Sequence, residues 1–265
     1  MTEELALHTA ARRYCEERAA RWHSHYAGLG SHTDHGGYTE EEKDVFPRYN
    51  VLDAILVEVE RLRPEALASG KQAREMLSLA GQVAESMFTK PPNGPVEERA
   101  MQQERDLFCA YVDSLEAQEL ADVSPMPSRR ALTEEESKTI WERVSLRWGT
   151  AGGYWYPLRG DAPPHTVAFD TDAFNQHVPA PIFQGILGDH GIQSAFELRE
   201  YGPEYEMELG IVVPAYNGAE GYWTAGEFDW LVYASHESSI TVAGDWLVHS
   251  LKQQWPTWSE HLVQW

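Results

Sequence analysis

The hydrophobic pattern changes period near residues 149–153, and this change constrains the fold more than any other feature. Before it, apolar residues recur at helical three- and four-residue steps; from Gln193 onward they alternate with polar ones, as in a strand with one buried face. Leu7, Ala11, Tyr14, Cys15, Trp22 and Tyr26 form one stripe, and Leu52, Ile55, Leu56, Val59 and Leu62 form a second. A third, Met76, Leu77, Ala80, Val83, Ala84, Met87 and Phe88, runs toward the breaker Pro91-Pro92-Asn93-Gly94-Pro95. Met101, Phe108, Tyr111, Val112 and Leu115 make a fourth, and Ile140, Trp141, Val144 and Trp148 a fifth. Thr39 with Glu42 and Thr133 with Glu136 read as capping boxes, and Pro47 is expected to interrupt its helix. Residues 1–150 are therefore expected to be helical and to pack as a bundle.

In the second part, Phe196 and Leu198 alternate with Glu197 and Arg199, and Tyr205, Met207, Leu209 and Ile211 with Glu206 and Glu208. Residues 222–225, 228–235 and 240–242 follow as turn-linked strands, and Asp245 is expected to cap a closing helix. The fold class is α+β: a helical bundle over residues 1–150, then an antiparallel meander with packed helices over 151–265. A meander of this kind leaves one sheet face in water.

Charge narrows the partners. The net charge is −21 with only five lysines, and from Ala151 onward Arg159, Arg199 and Lys252 stand against fifteen acids. Such a surface repels nucleic-acid phosphates and anionic membranes and attracts basic proteins. No run approaches the ~20 apolar residues of a membrane span, and the acidic N-terminal stretch lacks the features of a signal peptide. Cys15 and Cys109 fall at helical apolar positions and read as buried thiols. A cytoplasmic protein is the expectation.

Motifs with fixed chemistry are missing: there is no phosphate-binding loop, GxGxxG, GxSxG, HExxH or CxxC. The metal candidate is the loop His32, Asp34 and His35, with His23 and His25 upstream, where imidazole and carboxylate ligands suit a divalent first-row ion. His236 and Glu237 are adjacent, so strand parity points them apart; His236 falls on the more apolar face, with Trp230 and Val232. The same parity turns Glu197, Glu206, Glu208, Asp229, Tyr233 and Glu237 outward as an acidic face, with Trp223 near a strand end as an exposed aromatic. Like charges opposed in a sheet are destabilising, so a row of them suggests use.

The acidic, tryptophan-rich tail of strands plus helix resembles, in general style, small bacterial inhibitor and toxin-immunity proteins. The resemblance implies a non-enzymatic binder that needs no cofactor and neutralises a basic protein. Two alternatives remain open: a metal-assisted hydrolase using His32, Asp34 and His35, and a nucleic-acid mimic whose carboxylates imitate phosphates.

Overall fold

In the computed structural model, which describes residues 1–29, 37–150 and 153–263, the chain divides into two units, Met1–Met126 and Pro127–Trp265. The first is helical: α1 (Glu3–Gly28), α2 (Glu40–Arg61), α3 (Gly70–Val83), α4 (Pro95–Ser114) and the short α5 (Ala117–Ala121). Thr2 caps α1 by accepting from the Leu5 amide, and Thr39 and Glu42 close a reciprocal capping box on α2.

α2 runs through Pro47 without interruption, contrary to the sequence expectation. An interior proline costs about 3 kcal/mol. Burying Val51, Leu52, Ile55 and Val59 gains roughly 1.5–3 kcal/mol each, so the stripe wins. α3, by contrast, stops at Val83 before the predicted stripe is used up. Arg105 of α4 donates to the carbonyls of Gly81 and Ala84 and so satisfies the end of α3, leaving Met87 and Phe88 exposed.

Leu7, Ala11 and Cys15 meet Val51, Ile55, Val59, Leu77, Phe108 and Val112 in the bundle core. Two carboxylates are buried with cations beside them. Glu60 accepts from Arg12 at 3.1 Å, and Glu104 is held by Arg18 and, at 2.9 Å, by Arg48. His8 is also buried and donates Nε2–H to the Val59 carbonyl at 3.0 Å; burial lowers its pKa to about 4.

The second unit holds β1 (Arg129–Ala131), α6 (Glu134–Trp148), β2 (Thr166–Asp170), α7 (Thr171–His177) and α8 (Ala180–Asp189). It continues with β3 (Ser194–Arg199), β4 (Tyr205–Glu208), β5 (Gly221–Thr224), β6 (Leu231–Ser235), β7 (Ser239–Ala243) and α9 (Asp245–Gln254). The architecture is α+β, with the helices followed by one antiparallel sheet in the order β1-β4-β3-β5-β6-β7-β2. Residues 209–211, read as strand, form a 3₁₀ turn instead.

The units part at Met126 rather than at residue 150, because β1 and α6 belong with the sheet. β1 pairs with β4, and Ile140, Val144 and Trp148 of α6 share a core with Trp155, Leu198, Tyr222, Leu231 and Tyr233. On the other face the Phe169 ring of β2 packs at a tilt against Phe174 of α7 and against Trp255. β5, β6 and β7 are consequently buried along their whole length, and the expected wet face is absent from them. α9 is capped by Gly244, with Asp245 as its first residue rather than its cap. Gly244 has φ +113°, and a Cβ there would sit 2.7 Å from the Asp229 carbonyl oxygen. No helix among the described residues is long and apolar enough to cross a membrane.

Candidate functional site

Antiparallel pairing gathers alternate connections at one end of a sheet. Arg199 pairs with Gly221, Gly221 with Ala234, and Ser235 with Ser239, so the segments after β3, before β5 and between β6 and β7 emerge together. Their side chains make the candidate site.

The β6–β7 hairpin turns through His236, Glu237 and Ser238, with Ser238 at φ +54°, as a three-residue hairpin loop requires at its last position. The turn ends the strand alternation before His236. Far from joining the apolar core face, His236 is exposed, with its side chain 40% accessible. Its neighbour Glu237 does not point away, because Oε1 lies 3.1 Å from His236 Nε2.

The other ring nitrogen, Nδ1, is tied to Glu220, the residue preceding β5. The Glu220 carboxylate is only 1% exposed, and its Oε1 also accepts the His236 backbone N–H at 3.1 Å. This buried carboxylate, followed by Glu237, raises the His236 pKa above the ordinary histidine value. Below the carboxylate the sheet interior continues with tyrosines. The rings of Tyr222 and Tyr233 lie 4.7 Å apart, and Tyr222 donates its hydroxyl to the Gly153 carbonyl at 3.3 Å. Burial first, and then the nearby Glu220, pushes both phenols well above the ordinary tyrosine value.

Above the histidine, three tyrosines reach solvent: Tyr154, Tyr201 and Tyr216 are 44%, 48% and 43% exposed. The Tyr154 and Tyr216 rings lie 5.6 and 6.4 Å from the imidazole, and Tyr201 donates to the Gly218 carbonyl at 2.6 Å. Loss of solvent, then Tyr201, Glu220 and Glu200, raises the Tyr216 pKa. Chemically the rim offers aromatic faces, carboxylates and one titratable imidazole.

The acids expected to form an outward face are distributed differently. Glu197 is buried, and burial, opposed by Arg199 and Arg129, raises its pKa. Glu206 sits opposite Arg130 across the β1–β4 pair and accepts from it at 2.9 Å. The same guanidinium binds Glu136 at 2.7 Å and, with the Thr133 cap, lowers that carboxyl to about 2. Glu208 is exposed but accepts the Ser128 N–H at 2.9 Å, and Asp229 accepts the Trp246 indole N–H at 2.9 Å. Tyr233, expected outside, is fully buried, and Trp223, expected exposed, is 2% exposed. Glu237 alone of that set stands at the tyrosine rim.

His32, Asp34 and His35 lie outside the described residues. Of the upstream histidines, His23 faces Asp53 at 3.5 Å and stacks on Tyr49, and His25 faces Glu41 at 3.4 Å. Among the described residues no group of three or more His, Cys, Asp or Glu side chains is placed to hold a metal ion.

Glu220, His236, Tyr154, Tyr201 and Tyr216 were not singled out as site residues from the sequence. The available signal was the spacing of tyrosines in alternate strand connections, which becomes meaningful once strand order is known. No family model, curated protein or solved structure matches this chain.

Proposed function

We propose that the protein is a non-enzymatic, acidic binder of a basic protein partner, acting as an inhibitor of the immunity type. The observation that carries this reading is the rim at one end of the sheet, where Tyr154, Tyr201 and Tyr216 are exposed around His236 and Glu237. Tyrosine offers large contact area for little conformational entropy and is enriched at protein interfaces. The electrostatic bias supports it too, since the chain carries −21 and the residues from Ala151 onward, which include those of the rim, have Arg159, Arg199 and Lys252 against fifteen acids. A field of that sign speeds association with a basic partner and disfavours nucleic acid and anionic lipid.

The test is binding to a basic partner captured from lysate of the source organism, with kinetics measured at two salt concentrations. Association is expected to slow by about tenfold or more between low and high salt, with dissociation little changed. Equal association rates at both, or a partner with no basic face, overturn the reading.

A further inference from the structure

We propose that the rim is a receptor for one basic side chain, a guanidinium of the partner, seated between Tyr154 and Tyr216 against Glu237, with His236 on buried Glu220 as its floor. This rests on the acidic-binder reading above and names the group that the site would take.

Three observations converge on it. The two rings each lie near one imidazole, at 5.6 and 6.4 Å, and remain more than two-fifths exposed, whereas Tyr222 and Tyr233 are fully buried. Aromatic faces with an adjacent carboxylate are the common receptor for a guanidinium, which stacks on the ring while its fork meets the acid. Next, the floor holds a buried negative charge: Glu220, only 1% exposed, engages His236 through Oε1, at both the ring and the backbone N–H. Finally, the cations that elsewhere occupy acids of this unit, such as Arg130 on Glu206 and Glu136, have no counterpart at Glu237, whose ion pair among the described residues is with His236.

The histidine makes the receptor sensitive to pH. Protonated, His236 pairs with Glu220 through Nδ1 and with Glu237 through Nε2, so an incoming cation must compete with it. Neutral, it can donate to only one of them, and Glu237 is released. The groups around it are Glu220 from the start of β5, Glu237 from its own turn, and Tyr154 and Tyr216 from two other segments. Glu200 and Tyr201 follow β3, Tyr222 and Tyr233 are buried beneath, and the exposed cation Arg159 acts on Tyr222.

The experiment uses the full chain and a fluorescent, end-blocked arginine–glycine peptide, with the citrulline–glycine peptide as its neutral counterpart. Anisotropy titrations at low salt compare wild type, the double variant Tyr154→Ala/Tyr216→Ala, Glu237→Gln, and Glu227→Gln. Glu227 is exposed beyond the opposite end of β5, so its variant makes the same change in net charge away from the rim. The receptor predicts arginine-selective binding that weakens about tenfold in the tyrosine double variant and in Glu237→Gln, and less than about twofold in Glu227→Gln. It also predicts tighter binding at pH 8.5 than at pH 6, a difference lost in His236→Gln. Equal losses in Glu237→Gln and Glu227→Gln, with the tyrosine variant unaffected, overturn the receptor and leave the broader acidic-binder reading standing. A pH-independent wild-type affinity overturns the part given to His236. No binding of the arginine peptide by wild type overturns the receptor, while the acidic-binder reading falls only to the salt-dependence test above.

Discussion

Two histidines in this protein carry opposite shifts, and each fixes the direction of a pH effect. His8 is buried on the Val59 carbonyl with its pKa lowered to about 4, so folding excludes a proton that the unfolded chain binds near pH 6.5. Its contribution is complete above the unfolded value and is lost as pH falls toward 4. We expect His8→Gln, which can keep the hydrogen bond without titrating, to lose less stability than wild type between pH 7 and pH 4.5, measured by urea unfolding. His236 runs the other way. Glu220 raises its pKa, so its contribution is complete below the unfolded value and disappears as pH rises through the folded one. In His236→Gln the stability of the sheet unit should be flat from pH 6 to pH 9, where wild type declines. Every tryptophan but Trp22 lies in that unit, so tryptophan fluorescence reports it selectively.

At the scale of the element, the ends decide more than the middles. α6 begins with a reciprocal box between Thr133 and Glu136 and ends on Gly149 at φ +69°. Arg130 then links that N-terminus to β4 through Glu136 and Glu206. α9 depends on Gly244, where the backbone lies in a region closed to L side chains and a Cβ would meet the Asp229 carbonyl at 2.7 Å. Strain and collision act together there, so Gly244→Ala should destabilise by about 2 kcal/mol or more in urea unfolding. Gly149→Ala meets no neighbouring atom and carries only the strain of its positive φ, so about 1 kcal/mol is expected by the same measurement. A Gly244 variant as stable as wild type would remove the close approach of α9 to the chain before β6 as a reason for that glycine.

For the whole molecule, helical stripes and strand alternation were enough to assign α+β, because period is a local property of the chain. Domain division was not legible in the same way. The Ser124-Pro125-Met126-Pro127-Ser128 stretch reads as a loop of the kind that separates units, yet the change of period near Gly149 looked stronger, since nothing local says that α6 packs on a sheet rather than on helices before it. That one assignment propagated. With α6 counted among the bundle helices, one sheet face was left open to water, and Tyr233 and Trp223 were placed on a surface they do not reach. Likewise the acids of β3 and β4 looked unpaired because Arg129 and Arg130 are more than sixty residues away along the chain; β1–β4 pairing brings Arg130 onto Glu206.

The amino-acid sequence by itself determined where helices start, which face of each is apolar, that the second part is strand-rich, and that the charge is strongly negative. These depend on residues within a few positions of one another or on sums over the chain. Tertiary structure alone decided which acids are neutralised, which tyrosines are buried, and that His236 meets Glu220 across sixteen positions. The reason is that strand order and turn geometry set those contacts. The three-residue turn at 236–238 breaks the alternation on which the inward reading of His236 relied, and pairing of β5 with β6 carries Glu220 to it.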